Sequence, residues 1–186
     1  TRQYNLSEEY NMNNSKNTIQ TVFTAKLFKI KNIELPLPNG KTKTYELIDI
    51  QNAITVLPVD SEGNVYFVEQ YRIGADKPLL ELPAGKIEQD EDPLEAARRE
   101  LREEIGMDAT EIKPLGNFYM SPGYTNEYMY CCVANGLFPA PLAPDADEFI
   151  NVKKIHTNQV KELIESGKMD DSKTLAVFML AQNHLQ

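Results

Sequence analysis

Tryptophan is absent from this chain, and cysteine and histidine occur only twice each in 186 residues. His156 and His184 stand far apart and have no partners at ligand spacing, which argues against a zinc centre or a Ser-His-Asp hydrolase. Cys131 and Cys132 are neighbours, and successive strand residues point to opposite faces, so they are poorly placed to bridge. They read as reduced residues of a cytoplasmic protein. No apolar run approaches the roughly 20 residues of a membrane span. The polar, Asn-rich stretch Thr1–Lys16 lacks the basic start and apolar middle of a secretory signal. Basic residues are also scarce: 19 Lys and Arg against 28 Asp and Glu, a formal charge of −9. That balance argues against nucleic-acid and anionic-membrane partners. It leaves room for a small phosphorylated substrate, because a bound cation can invert the local field.

No internal repeat, low-complexity segment or inter-domain linker divides the chain. Residues 1–17 are expected to form a mobile tail and residues 18–186 a single domain. Thr18–Lys31 reads as one extended segment, Pro38-Asn39-Gly40 as a turn, and Thr42–Asp49 as a returning strand. Together they predict an antiparallel N-terminal arm over 18–50. Strands are expected over Ala53–Val59, Val65–Tyr71 and Pro78–Leu82, with a loop from Pro83 to about Glu91. Asp92 and Pro93 then open a helix, and Gly106 closes it. Further strands are expected near Ile112–Met120, Glu127–Ala134 and Glu148–Ile155. Thr157 is expected to cap a short helix. Ser172–Gln182 reads as a last helix with Leu175, Phe178, Met179 and Leu180 on its apolar face. This order is not a regular βαβ alternation, so the expected class is α+β.

The helix between Asp92 and Gly106 carries the chemistry. At about 100° per residue, Glu100, Glu103 and Glu104 share one arc, while Leu94, Ala97, Leu101 and Ile105 gather on the adjoining one. Three clustered carboxylates repel. Arginines or solvent can neutralise them, or a hard divalent cation can, since such ions prefer oxygen ligands. Arg99 lies four residues before Glu103 and can pair with it.

Gly85, Glu91, Arg99, Glu100, Leu101, Glu103, Glu104, Gly106 and Met107 fill every defined position of a motif that resembles the Nudix box. Its fixed identities would coincide by chance at a given start roughly once in 10⁸. The resemblance implies an α/β/α sandwich with a mixed sheet and hydrolysis of a pyrophosphate bond in a nucleoside diphosphate linked to another moiety. It implies Mg²⁺ or Mn²⁺ as cofactor, with Glu100, Glu103, Glu104 and the backbone carbonyl of Ala84 as ligands. Glu91 would orient the loop or a metal-bound water. Gly85 would permit a backbone conformation that Ala resists.

Three further features resemble the ADP-ribose pyrophosphatase branch: Glu81-Leu82-Pro83-Ala84-Gly85 entering the box, Ser121-Pro122-Gly123 after it, and Glu69-Gln70-Tyr71-Arg72. They imply ADP-ribose as substrate, cleaved to AMP and ribose 5-phosphate. A GDP-mannose-type nucleotide sugar, or a noncatalytic ADP-ribose-binding module, are the alternatives. Arg72 would fork onto a phosphate, and Glu81, Pro122 and Gly123 would lie near substrate. Glu127 either touches the terminal sugar or faces solvent on a strand. For the base, Glu148 best matches the acidic position of similar enzymes, with Asp145 and Asp147 as rivals. Similar enzymes also dimerise through N-terminal strands. A homodimer is therefore expected, in which Phe28 stacks on adenine or packs in the core.

Overall fold

The computed structural model describes residues 18–143 and 149–182. The expected tail over 1–17, the acidic segment holding Asp145, Asp147 and Glu148, and His184 lie outside the described residues. The chain divides into two compact units, one running to Ile50 and including Gly123–Asn126, the other comprising Gln51–Pro122 and the chain from Glu127 onward.

In the first unit, β1 (Thr18–Thr24), β2 (Phe28–Pro36) and β3 (Thr42–Ile50) form an antiparallel sheet in that order. The single extended segment expected over Thr18–Lys31 is thus two strands. The chain reverses at Ala25-Lys26-Leu27, where the Ala25 N–H donates to the Phe28 carbonyl at 2.9 Å. Neither Gly nor Pro marks that reversal. The second reversal falls at Pro38-Asn39-Gly40, where Gly40 takes φ +79° and Asn39 accepts from the Lys41 N–H. Every residue of the edge strand β1 is exposed. Asn126 ties its own short segment to β3, accepting from the Ile50 N–H and donating to Asp49 at 2.7 Å.

The second unit is built on a seven-stranded mixed sheet. Its strands are β4 (Ala53–Val59), β5 (Asn64–Arg72), β6 (Lys77–Glu81), β7 (Ala84–Lys86), β8 (Met107–Tyr119), β9 (Tyr128–Pro139) and β10 (Asn151–His156). The path runs β10-β5-β4-β9-β8, with β6 paired to β5 and β7 to β4. The β4–β9 pair is parallel, and the others are antiparallel. Strand β4 is central and its residues from Ala53 to Pro58 are all buried. Alternation then splits the side chains between two cores. Ile54, Val56, Cys132 and Ala134 pack with Ala96, Ala97 and Leu101 of α1 (Pro93–Glu104). Leu57, Phe67, Cys131 and Val133 pack with Val160 of α2 (Thr157–Glu165) and Val177 of α3 (Ser172–Leu180). The result is the expected α+β three-layer arrangement. The two cysteines face different cores, and burial pushes their thiols up, to about 12 for Cys131 and about 11 for Cys132.

Helix α1 begins as expected, with the Asp92 carboxylate accepting from the Leu94 N–H and Pro93 at the first position. Gly106, just past its end, takes φ +69°. Elsewhere the boundaries differ. Strand β8 starts at Met107, five residues ahead of the expected Ile112, because Met107 already pairs with Pro139 at the far end of a longer β9. The loop expected from Pro83 contains the short strand β7. Helix α2 is capped by His156, whose Nδ1 accepts from the Asn158 N–H at 3.2 Å, and Thr157 is its first residue. On α3 the buried residues are Lys173, Thr174 and Val177, whereas Met179 is 66% exposed. Of the expected apolar face, Phe178 packs against the core and stacks on Phe67, whereas Met179 and Leu180 are corrected to exposed positions. No helix among the described residues is long and apolar enough to cross a membrane.

Candidate active site

A cavity of about 790 Å³ opens in the second unit, lined by Glu100, Glu103 and Arg99 of α1 and by Ala84 and Gly85 of β7. Arg72, Glu127, Asp171 and Lys173 line it as well. Strand β7 reaches the helix because β4 holds it: Gly85 pairs with Ile54 and Ala84 with Thr55. The Leu101 edge of α1 is buried against the sheet, so the carboxylate edge beside it is fixed at the cavity wall.

Arg99 organises that wall. Its Nε and one Nη grip Glu91 at 2.9 and 3.0 Å, and its other Nη reaches Glu100 at 2.6 Å and Glu103 at 3.0 Å. The Glu91 bond leads a set of contacts that hold Arg99 more firmly protonated than usual, and Arg99 in turn holds the Glu91 carboxyl below its ordinary range. Glu91 also accepts from the Glu88 N–H at 2.8 Å, so one carboxylate joins the loop to the helix. Glu104 is 7% exposed and accepts from the Ala84 N–H at 2.9 Å.

Among the described residues no set of three acidic, imidazole or thiol groups already forms a closed ligand cluster. Arg99 spans Glu100 and Glu103 instead. The donors nevertheless fit a hard divalent ion: they are carboxylate oxygens together with a backbone carbonyl. The backbone is also shaped around Glu100. A Cβ built on Gly85 would fall 1.9 Å from Glu100 Oε1 and 2.0 Å from its Cδ. The expectation that Gly85 provides an unusual backbone conformation is corrected here. Gly85 is not among the glycines with positive φ, and what it provides is space for a carboxylate.

Two of the lining cations, Arg72 and Lys173, rest on Glu81, which is 1% exposed. Arg72 donates to it through Nε at 2.8 Å and Nη2 at 2.7 Å, and Lys173 donates at 2.5 Å. Burial alone would raise the Glu81 carboxyl, but the bonds and charges of Arg72 and Lys173 outweigh it and hold it below its ordinary value. Glu127 responds oppositely: burial raises it, and the positive charge of Lys173 offsets this only in part.

The structure therefore brings Arg72, Ala84, Arg99, Glu100, Glu103 and Glu127 to one cavity, with Glu104 and Glu81 bonded directly to its walls. Pro122 and Gly123 are exposed and are not among its lining residues. Phe28 is half-buried on β2 in the other unit. Lys173 and Asp171 line the cavity without having been anticipated. The sequence signal for them is Asp171-Ser172-Lys173-Thr174, which resembles both the ADP-ribose and the GDP-mannose branches and so does not choose between them.

A model of the NUDIX domain matches residues 49–178. The chain is 34% identical over 169 residues to the methanol dehydrogenase activator of Bacillus methanolicus, covering 89% of this chain and 91% of that one. It is 33% identical over 157 residues to an ADP-ribose pyrophosphatase of Bacillus subtilis, covering 83% and 85%. The crystal structure of an ADP compounds hydrolase matches with a TM-score of 0.82 at 26% identity, over 91% of this chain and 94% of that one.

Proposed function

Because this chain belongs to the Nudix family, as a hydrolase similar to ADP-ribose pyrophosphatases, we propose that it cleaves ADP-ribose to AMP and ribose 5-phosphate. Nudix hydrolases generally use divalent metal ions. Glu100, Glu103 and Glu104, with the Ala84 carbonyl, would hold Mg²⁺ or Mn²⁺ here. Such an ion, when bound, offsets diphosphate charge and lowers the pKa of water. The observation that carries the reading is a single cavity with carboxylates at Glu100 and Glu103 and a guanidinium at Arg72.

In that cavity Arg72 binds nonbridging phosphate oxygens, held in place by its two bonds to Glu81. Arg99 fixes the rotamers of Glu100 and Glu103. Water attacks one phosphorus, a new P–O bond forms, and the bridging P–O bond breaks. The proton lost by water passes to a base. For that role we retain Glu148, with Asp145 and Asp147, which lie outside the described residues.

A phosphatase-coupled assay on ADP-ribose, NADH and GDP-mannose tests the substrate. ADP-ribose is expected to give the highest kcat/KM, by about tenfold or more, equivalent to about 1.4 kcal/mol, and only with a divalent ion present. A preference for GDP-mannose would replace the substrate. Inactivity across a wider nucleotide-sugar panel would replace the enzyme with a binding module.

The arm supports a homodimer. Strand β1 is an exposed edge carrying Ile19, Val22 and Phe23, each about half exposed, and such edges favour pairing. Light scattering is expected to give twice the chain mass, and deletion of residues 18–24 to give the monomer. A full-length monomer at micromolar concentration would remove this reading.

A further inference from the structure

We propose that Lys173 is a second diphosphate-binding cation, and that Glu81 is the positioning residue that sets it beside Arg72. This rests on the diphosphate-hydrolase reading above and names a further part of the same site. Two cations converge on one buried oxygen: Glu81 Oε2 accepts from Arg72 Nη2 at 2.7 Å and from Lys173 Nζ at 2.5 Å. At 1% exposure Glu81 lies beneath the cavity wall, while both cations line the cavity.

Donor accounting points the same way. Arg72 uses two of its five N–H groups on Glu81. Lys173 uses two of its three, on Glu81 and on Asp171 at 3.0 Å. Both therefore keep donors for a ligand. A lysine on a flexible stem would lose considerable rotamer freedom on capturing a phosphate. Here that freedom is already removed. Asp171 caps α3 by accepting from the Thr174 N–H and hydroxyl, at 2.9 and 2.7 Å. The Thr174 oxygen in turn accepts from the Leu82 N–H at 2.9 Å, next to Glu81. The start of α3 and the end of β6 are thereby locked together, and Lys173 is preorganised.

A structural role alone explains the cluster poorly. Buried ion pairs are weak stabilisers compared with apolar packing, because desolvation offsets their attraction. A cluster that also lines the cavity holding Glu100 and Glu103 has a further use: its two cations can meet diphosphate oxygens there.

The test is calorimetric titration with inorganic pyrophosphate, in magnesium and again in EDTA, because this probe lacks base and sugar. Lys173→Gln is expected to weaken pyrophosphate binding by about tenfold or more. Lys173→Arg is expected to recover most of that loss, and the surface variant Lys161→Gln to behave as wild type. Glu81→Gln, which keeps the volume but releases both cations, is expected to weaken binding at least as much as Lys173→Gln and also serves if that variant does not fold. In turnover, Lys173→Gln is expected to raise KM for ADP-ribose more than it lowers kcat, a split that loosened packing would not give. Unchanged pyrophosphate binding in folded Lys173→Gln, or no pyrophosphate binding by the wild type, would overturn the proposal. Lys173-dependent pyrophosphate binding without ADP-ribose turnover would leave it standing and remove the substrate reading. Turnover with Lys173-independent binding would do the reverse.

Discussion

Glu104→Gln is expected to lower kcat by about a thousandfold, a loss of about 4 kcal/mol of transition-state stabilisation, while the protein melts at or slightly above the wild-type temperature. The two halves of that expectation come from different atoms. Glu104 has a structural duty, accepting the Ala84 N–H at 2.9 Å, and the Gln carbonyl oxygen can take it over at nearly the same position. What Gln cannot supply is negative charge. Glu104 shares one helix arc with Glu100 and Glu103, the pair that the Arg99 guanidinium spans. Removing one of three like charges in the absence of an ion relieves repulsion, so stability holds or rises. With an ion expected in the site, the same change removes a ligand and weakens ion binding. Manganese titration followed by electron paramagnetic resonance, beside kcat and a melt, separates these effects. Near wild-type turnover in Glu104→Gln would sink the ligand assignment.

The parts of this site that could be read from sequence are those with local causes. Asp92, Pro93 and Gly106 mark the two ends of α1 because caps act within a few residues. Once those ends are fixed, the 100° rotation per residue places Glu100, Glu103 and Glu104 without any tertiary information. What could not be read depends on contacts distant in sequence. The Asp171-Ser172-Lys173-Thr174 segment resembles both substrate branches and so assigns Lys173 no role by itself, and its partner Glu81 is 92 residues away. The reversal at Ala25-Lys26-Leu27 was missed because nothing there carries turn chemistry. It is fixed instead by the register in which Lys29 meets Thr24 and Phe23 meets Ile30. Strand β8 reads shorter in the sequence because Met107 and Ala109 are its only apolar residues ahead of Ile112, and pairing with β9 extends it to Met107.

The same distinction separates two glycines that the family motif treats alike. Gly85→Ala is expected to reduce kcat by about a hundredfold or more while changing stability by no more than about 1 kcal/mol, or about 2–4 °C in Tm. The backbone at Gly85 is a strand paired with Ile54 and lies outside the positive-φ region, so alanine fits the chain itself. Reduced freedom in the unfolded state would even favour it. The clash is with a side chain alone: the new Cβ would fall 1.9 Å, 2.0 Å and 2.3 Å from Glu100 Oε1, Cδ and Oε2. A carboxylate at the end of a flexible stem can swing away at small cost in stability, but it then leaves the wall it shares with Glu103. Gly106→Ala should behave in the opposite way. Its φ of +69° is strained for alanine, whereas among the described residues a Cβ there meets only Pro141, at 3.7 Å. It is expected to lose about 1–2 kcal/mol of stability and to keep kcat within about twofold, a difference of about 0.4 kcal/mol in barrier. Thermal melts and kcat for the two variants, measured side by side below both transitions, decide the matter. If Gly85→Ala kept full activity, Glu100 could be displaced without consequence and would have no place among the proposed metal ligands.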